Sequence, residues 1–122
     1  MEKIYFIVDD DALQNEIHSI LLKKVDPSAE VYTFLTAKTA LKFIATGKVP
    51  DVVFLDLHIP GEEENSFLEE HKVKNYSSDI YLMSAVAYLD NPSLAKNYPA
   101  VKDFISKPLL DYKLRSILSD YA

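Results

Sequence analysis

Hydrophobic residues along this chain occur as short runs that alternate with longer stretches of helical periodicity. Five runs of four or five residues are rich in β-branched and aromatic side chains, which is typical of buried strands. Parallel strands need crossover connections, and these are usually helices, so the alternation predicts a parallel sheet covered by helices on both faces. The predicted strands are residues 4–8, 30–34, 52–55, 80–83 and 101–105.

The segments after the strands carry the signals of five helices. In the first segment, Leu13, Ile17, Ile20 and Leu21 recur with a helical period and predict one buried stripe on a helix that ends before Asp26. Capping boxes at the first and third helices, and an asparagine–proline pair at the fourth, predict where these helices begin. The other residues that support the five helices are, in order, Asp11 and Gln14; Ala37, Ala40, Leu41, Ile44, Ala45 and Gly47; Ser66, Phe67, Leu68, Glu69 and His71; Asn91, Pro92, Leu94, Ala95, Tyr98 and Pro99; Leu110, Leu114, Ile117, Leu118 and Tyr121.

Length and composition narrow the class of protein. A chain of 122 residues predicts one domain, residues 1–122, and a hydrophobic content of 48% supports a packed core. The formal net charge of −6 opposes non-specific binding to nucleic acid or to an anionic membrane, so neither is expected as a direct partner. The absence of cysteine excludes disulfides, thiolate zinc sites and cysteine catalysis. The longest apolar runs, 4–8 and 85–89, are too short to span a membrane, and no signal peptide is visible, so we expect a soluble cytoplasmic domain.

Chemically useful side chains stand where four of the five predicted strands end. Asp9 and Asp10 follow the first strand, Asp56 the third, Ser84 the fourth and Lys107 the fifth. Open parallel sheets bind ligands beyond the carboxyl ends of their strands, so these groups are expected to meet there. Two carboxylates ~4 Å apart repel each other by about 4 kcal/mol at an effective dielectric constant near 20. A divalent cation such as Mg²⁺ would compensate the negative charges of such a cluster. A lysine and a hydroxyl suit phosphoryl oxygens, and a carboxylate can act as the nucleophile.

Each of these residues taken alone has a simpler interpretation. Asp11 fits a helix N-cap, and Asp56 fits a solvated strand end before the Pro60-Gly61 turn. Ser84 could bond a backbone group, and a surface lysine is the ordinary interpretation of Lys107. The hypothesis of a phosphoryl site depends on their coincidence at one edge of the sheet.

The motifs at the strand ends resemble those of the receiver domain of two-component response regulators. The resemblance covers essentially the whole chain, and its carriers are Ile7-Val8-Asp9-Asp10-Asp11, Phe54-Leu55-Asp56-Leu57-His58-Ile59-Pro60-Gly61, Ser84-Ala85 and Phe104-Ile105-Ser106-Lys107-Pro108. It implies a doubly wound (βα)5 α/β fold, a flavodoxin-like three-layer sandwich with a parallel sheet in the order 2-1-3-4-5.

The resemblance also implies a role for each strand-end residue. Asp56 would accept a phosphoryl group from a histidine of a sensor kinase or phosphotransfer protein. Asp9 and Asp10 would hold Mg²⁺ together with Asp56 and the backbone carbonyl of His58. Lys107 would pair with the phosphoryl oxygens, Ser84 would bond one of them, and Phe104 would turn inward as Ser84 moves. The resemblance also implies a cis Lys107-Pro108 peptide bond.

Such a domain is expected to signal rather than to turn over a substrate. The resemblance implies that phosphorylation shifts the population of conformers and changes a partner-binding surface formed by the fourth helix, the fifth strand and the fifth helix. The downstream protein itself is unknown. The chain closes with the fifth helix, so we expect either a stand-alone receiver or a fragment of a longer regulator or hybrid kinase.

Two departures from the family pattern concern the segment after Asp56. The family often has a glycine eight residues after the acceptor, where this chain has Glu64, and Asn65 is expected to take over a positive φ if one is needed. His58 occupies the position whose side chain can influence the lifetime of the acyl phosphate.

Several other polar and aromatic residues are expected to have structural roles. His18 and His71 are interpreted as packed or half-solvated helical histidines. The acidic residues of the 62–64 run, with Glu69 and Glu70, are expected to form a solvated face. A cluster of aromatic residues in the last third lies on the expected partner surface, or else covers core edges, and consists of Tyr98, Phe104, Tyr112 and Tyr121.

Three alternatives belong to other classes of protein. A pseudo-receiver would use the same fold only to bind a protein, but it is expected to lack one of the acids, the acceptor or the lysine. A Mg²⁺-dependent aspartyl phosphatase of the haloacid dehalogenase type needs a second aspartate where this chain has His58. A flavodoxin-like flavin protein needs a phosphate-binding first loop, which residues 9–11 would repel.

Overall fold

The computed structural model describes residues 2–63, 65–84 and 92–121. Strands and helices alternate along the described chain, as the hydrophobic pattern predicts. The elements are β1 (Ile4–Val8), α1 (Ala12–Val25), β2 (Glu30–Phe34), α2 (Ala37–Ala45), β3 (Val52–Asp56), α3 (Ser66–Val73), β4 (Asp79–Ser84), α4 (Pro92–Asn97), β5 (Val101–Ser106) and α5 (Asp111–Ser119). Five strands are therefore confirmed, and the last three are one or two residues longer than predicted.

The strands form one parallel sheet in the order β2-β1-β3-β4-β5. Its register pairs Val8 with Leu55 and Asp56 with Met83. All strands point the same way, so their carboxyl ends share one edge of the sheet. This order confirms the doubly wound fold, because the chain runs to one side of β1 first and to the other side from β3 onward.

Two hydrophobic cores cover the two faces of the sheet. Alternate residues of a strand point to opposite faces, so Phe6 and Val8 enter one core while Tyr5 and Ile7 enter the other. The first core packs against α2, α3 and α4, and the second packs against α1 and α5. The result is the predicted sandwich of three layers.

The buried face of α1 differs from the predicted one. Leu13 and Ile20 are 64% and 63% exposed, and Ile17 is 46% exposed. The helix instead buries Asn15, His18 and Leu22, and of the predicted stripe only Leu21 packs partly against the core. At 100° per residue the buried face lies nearly opposite the predicted stripe. The stripe prediction was therefore wrong, because polar residues of α1 bond backbone groups beneath the helix.

The helix ends also differ in part from the prediction. Asp11 caps α1 as predicted, accepting hydrogen bonds from the backbone amides of residues 13 and 14. The other half of the predicted capping box is wrong, because the amide of Asp11 donates to Asp9 Oδ1 and not to Gln14. The predicted capping box of α3 is wrong: Ser66 is the first residue inside the helix, and Asn65 precedes it without a side-chain cap bond. Glu69 bonds the hydroxyl of Tyr98 instead. α4 begins at Pro92 as predicted, whereas Asn91 lies outside the described residues.

The aromatic residues of the last third occupy different environments. Tyr98 is buried and Phe104 is partly buried, both against the first core, whereas Tyr112 is 73% exposed. The hydroxyl of Tyr121 donates to Asp79 at 2.6 Å. Leu110, predicted as part of the α5 stripe, precedes the helix and is half exposed. Among the described residues, no helix has the length and apolar content needed to cross a membrane. The apolar run 85–89 lies outside those residues.

Candidate functional site

The carboxyl ends of β1 and β3 bring three carboxylates together. Asp9 and Asp10 follow β1, and Asp56 is the last residue of β3. One oxygen from each of the three lies within 4.8 Å of the others. Asp9 is fully buried and Asp56 nearly so, while Asp10 is exposed. The structure thus assembles the predicted acid cluster at the predicted edge of the sheet.

Lys107 brings the positive charge of the site to two of these acids. Its Nζ lies 2.6 Å from Asp9 Oδ2 and 3.2 Å from Asp56 Oδ2. Burial lowers the pKa of Lys107, but the bond to Asp9 and the charge of Asp56 outweigh it, so the pKa rises above its usual value. The ammonium group is therefore fully charged at neutral pH.

The loop from β5 to α5 sets the position of Lys107. The Lys107-Pro108 peptide bond is cis, as expected from the resemblance. The amide of Lys107 donates to the carbonyl of Ser84 at 2.8 Å, which ties this loop to the end of β4. Ser84 itself is buried at that strand end, next to the site. The structure describes the position of Phe104 and not the inward turn expected of it.

Hydrogen bonds at His58 and at Glu62 fix the loop after Asp56. The amide of His58 donates to Asp56 Oδ1 at 3.0 Å, and the His58 side chain is exposed. Glu62, expected to be merely solvated, accepts hydrogen bonds from the amides of Ala37 and Lys38 at 2.8 and 3.2 Å. Its carboxylate thereby caps α2 and anchors the loop to a second helix.

The backbone of this loop also departs from the expectation for its glycine position. Asn65 has a φ of −102°, so it does not take over a positive φ. A positive φ of 81° occurs at Gly61. Glu64 lies outside the described residues.

Hydrogen bonds of two residues beneath the site were not predicted from the sequence, although the interpretation of His18 as a packed helical histidine agrees with its burial. The side-chain amide of Asn15 donates to the carbonyls of Asp9 at 2.9 Å and Phe34 at 3.2 Å. Nε2 of His18 accepts a hydrogen bond from the amide of Leu109 at 3.2 Å. The only signal in the sequence was two polar residues three positions apart within a helical segment, and periodicity indicated the apolar stripe of that helix as its buried face.

The electrostatics of Asp56 reflect its partly buried position. Burial raises the pKa of its carboxyl, and Asp9 adds to this effect. The amide of His58 and the charge of Lys107 act in the opposite direction without cancelling it. The pKa of Asp56 therefore lies above its usual value, because burial opposes the charged form.

Three carboxylates facing one ammonium leave two negative charges uncompensated. A hard divalent cation with oxygen ligands is the group that this donor set fits, and Mg²⁺ keeps water positions free for phosphate oxygens. The structure thus places three carboxylates suited to such an ion and one lysine ammonium at one edge of the sheet.

Known proteins with similar sequences are regulators of signal transduction. The transcriptional regulatory protein MalR of Bacillus subtilis is 28% identical over 115 residues, which is 94% of this chain and 48% of that protein. The sensory transduction protein LytT of Enterococcus faecalis is 30% identical over 112 residues, or 92% of this chain and 45% of that protein. The chain therefore spans about half the length of the curated relatives it matches.

Solved structures share the fold over the full chain. A CheY-like response regulator receiver domain from Methylobacillus flagellatus superposes with a TM-score of 0.83 at 19% identity, and 100% of each chain is covered. The sequence model of the response regulator receiver domain matches residues 5–119. This match includes every strand end that forms the acid cluster and the lysine loop. The chain therefore belongs to the response regulator receiver domain family of two-component signalling.

Proposed function

We propose that this receiver domain is phosphorylated on Asp56 by a histidine kinase or a histidine phosphotransfer protein, and that the modification changes which protein it binds. The observation that carries this proposal is the position of Asp56 between Lys107, 3.2 Å away, and the carboxylates of Asp9 and Asp10. A solvated strand end would need neither a partly buried lysine nor two further acids. A pseudo-receiver would be expected to lack one of these groups.

The proposed transfer joins Asp56 to phosphorus in one displacement. A carboxylate oxygen of Asp56 forms a bond to the phosphorus, the bond from phosphorus to the histidine nitrogen of the donor breaks, and that nitrogen leaves with its electron pair. Lys107 is within reach of Asp56 Oδ2 and stabilises the negative charge on the transferred group. The amide of His58 bonds the other Asp56 oxygen and orients the carboxylate.

The acid cluster is proposed to hold Mg²⁺ through Asp9, Asp10, Asp56 and the backbone carbonyl of His58. When bound, the ion supplies positive charge that offsets the carboxylates and the incoming phosphoryl group. The residues of the chain prepare for it: Asp9 is fully buried and its Oδ1 accepts from the amide of Asp11 at 3.0 Å, so its carboxylate is held in one orientation.

The switch is proposed to begin at the end of β4 and to reach the outer surface through β5. Phosphorylation adds charge and acceptor oxygens beside Ser84 and Lys107, which are joined by the 2.8 Å backbone bond. Phe104 lies on β5, partly buried, two residues before the strand ends. A change in its packing would alter the surface of α4, β5 and α5, where we place the downstream partner.

The phosphodonor is proposed to dock on the exposed stripe of α1 formed by Leu13, Ile17 and Ile20. These three side chains form an apolar surface on a helix that begins directly after Asp9 and Asp10. A donor histidine must come within bonding distance of Asp56, so its protein covers surface next to this edge of the sheet. An apolar patch in that place supplies the binding area.

Phosphorylation of Asp56 is tested by intact mass after incubation with Mg²⁺ and acetyl phosphate. The wild type is expected to gain one phosphoryl group, and Asp56→Asn none. The outcome that removes Asp56 as the acceptor is equal labelling of both proteins. No labelling of a folded wild type by acetyl phosphate or by any histidine kinase would favour the alternative of a module that only binds proteins.

Docking is tested with Ile17→Glu, using Val73→Glu as the matched control. Val73 is also an exposed apolar residue, 73% accessible, but it is the last residue of α3, at the end of the helix that leads away from β3 and toward the start of β4. With purified, autophosphorylated histidine kinases of the source organism as donors, Ile17→Glu is expected to slow transfer by about tenfold or more, while labelling by acetyl phosphate stays normal. Equal slowing by both variants would refute the assignment of this face.

A further inference from the structure

We propose that His18, a buried histidine of α1, is a positioning residue that holds the loop between β5 and α5 so that Lys107 stays on the carboxylates of Asp9 and Asp56. The reaction that it serves rests on the proposed function. The contact itself is independent of that function and can be measured separately.

The first observation is the hydrogen bond between α1 and the lysine loop. Nε2 of His18 accepts from the backbone amide of Leu109 at 3.2 Å, and both residues are buried. Leu109 is two residues after Lys107, and the residue between them is Pro108, which has no amide hydrogen. The first amide after Lys107 that can donate is therefore fixed by the imidazole of α1.

The second observation is that the lysine is held between two such anchors. On one side, the amide of Lys107 bonds the carbonyl of Ser84 at 2.8 Å. On the other side, Leu109 bonds His18. The Lys107 ammonium that reaches Asp9 at 2.6 Å and Asp56 at 3.2 Å starts from the backbone between these anchors. A small displacement of this backbone moves the ammonium away from the reacting carboxylate, and misplacement of about 1 Å is enough to slow catalysis strongly.

The third observation is that a polar ring occupies a core position of an amphipathic helix. A buried polar group is unfavourable unless it is bonded, and an aromatic or aliphatic side chain would fill the same space. What the histidine adds is an acceptor for Leu109. Burial lowers the pKa of His18, and the charge of Lys107 lowers it further against the opposing charge of Asp9. The ring is therefore neutral at neutral pH. Because Nε2 accepts from Leu109, the proton is assigned to Nδ1, which is buried without a hydrogen-bond partner among the described residues.

The matched variants are His18→Phe and His18→Gln. Phenylalanine keeps a ring of similar shape and removes the acceptor, whereas glutamine places an amide oxygen near the position of Nε2. His18→Leu serves as a second acceptor-free variant. Thermal unfolding of each protein shows that comparisons are made between folded states.

Two measurements separate positioning from general stability. Amide hydrogen exchange at Leu109 and the NMR signals of the Lys107 side chain report the conformation of the loop between β5 and α5, and neither needs a phosphoryl donor. The rate of labelling by acetyl phosphate at saturating Mg²⁺ reports its effect on the reaction. His18→Phe is expected to expose Leu109 to exchange, to shift the Lys107 signals and to slow labelling by about tenfold, while His18→Gln stays within about threefold of wild type.

Three results would overturn the proposal. Unchanged Leu109 exchange or an unchanged labelling rate in folded His18→Phe would show that the bond does not position the loop. A loss in His18→Gln equal to that in His18→Phe would assign the effect to ring shape. In the wild type, a ¹⁵N spectrum showing the imidazole proton on Nε2 would exclude the acceptor role without any variant. If the wild type is not labelled, the proposed function fails, and the exchange and NMR measurements still decide this proposal.

Discussion

The Asp10→Asn substitution is expected to stabilise the protein when no divalent cation is present. Asp10 is the exposed member of the acid cluster, and its carboxylate has an oxygen within 4.8 Å of oxygens of both Asp9 and Asp56. Lys107 contacts Asp9 and Asp56. Removing the charge of Asp10 therefore removes two repulsions and one longer-range attraction to Lys107, and it leaves the close contacts of Lys107 with Asp9 and Asp56 in place.

The magnitude follows from the distances. Two unit charges 4.8 Å apart repel by about 0.9 kcal/mol at the dielectric constant of water and by about 3.5 kcal/mol at an effective value of 20. Because Asp10 is exposed, solvent screening places each repulsion near the lower figure. Two pairs give about 2 kcal/mol, and the attraction to Lys107 that is lost with the same charge cancels about half of it. The net gain of about 1 kcal/mol corresponds to an increase in Tm of roughly 3–6 °C for a domain of this size.

Magnesium is expected to reverse the order of thermal stability, so that the wild type becomes more stable than Asp10→Asn. The ion stabilises the folded state by about 2.7 kcal/mol at a concentration one hundred times its Kd, and a protein that lacks one of three carboxylate ligands gains less. The assay is thermal unfolding of wild type and Asp10→Asn in EDTA and across a Mg²⁺ titration.

The matched control is Asp11→Asn, which removes the neighbouring charge outside the cluster. Asp11 caps α1 through the amides of Leu13 and Gln14, and asparagine is an equally good cap. This control is expected to show no stabilisation in EDTA and the same Mg²⁺ response as wild type. The reasoning is refuted if Asp10→Asn is no more stable than Asp11→Asn without metal, or if its Mg²⁺ response equals that of wild type.

Two further predictions concern Glu62, in the loop after Asp56, and the buried His71. Glu62→Ala is expected to lower the free energy of unfolding by about 1–2 kcal/mol in urea, because it removes both hydrogen bonds to the start of α2. The control Glu63→Ala removes the same charge from an exposed position and is expected to change that free energy by less than about 0.5 kcal/mol. Equal effects of the two variants would contradict the role of Glu62 as a cap. Burial lowers the pKa of His71, so the unfolded state binds the proton more tightly and stability is expected to fall as the pH drops through about 6.5. His71→Phe is expected to reduce the slope of Tm against pH between about pH 7.5 and 6, and an unchanged slope would refute this.

Strands and strand ends were predictable because their signals are local. A run such as 52–55 is apolar at every position, and a strand buried on both faces requires that composition. The first residues after each strand then fall at one edge of the sheet, so Asp9, Asp56 and Lys107 could be assigned to one site before their distances were known. The family motifs gave the remaining expectations, including the cis bond before Pro108.

The buried face of α1 was decided by tertiary structure. Periodicity reports which positions share a face of a helix, and the more apolar face is normally the buried one. Here the carbonyl of Asp9 and the amide of Leu109 lie beneath the helix and need partners, and Asn15 and His18 supply them. An apolar face turned outward, with Ile17 at its centre, is the consequence.

Capping of α2 and α3 was likewise decided by residues distant in the sequence. Glu62 accepts a hydrogen bond from the amide of Ala37, which is 25 residues away in the sequence, so no local motif predicts this cap. Glu69 stands at the spacing of a capping box but bonds Tyr98 instead. The sequence by itself determined the order of strands and helices and the residue types at the strand ends, because these depend on composition and short spacing. Only the tertiary structure decided which helix face is buried and how the loops that carry Asp56 and Lys107 are held, because those contacts join segments that the chain brings together only on folding.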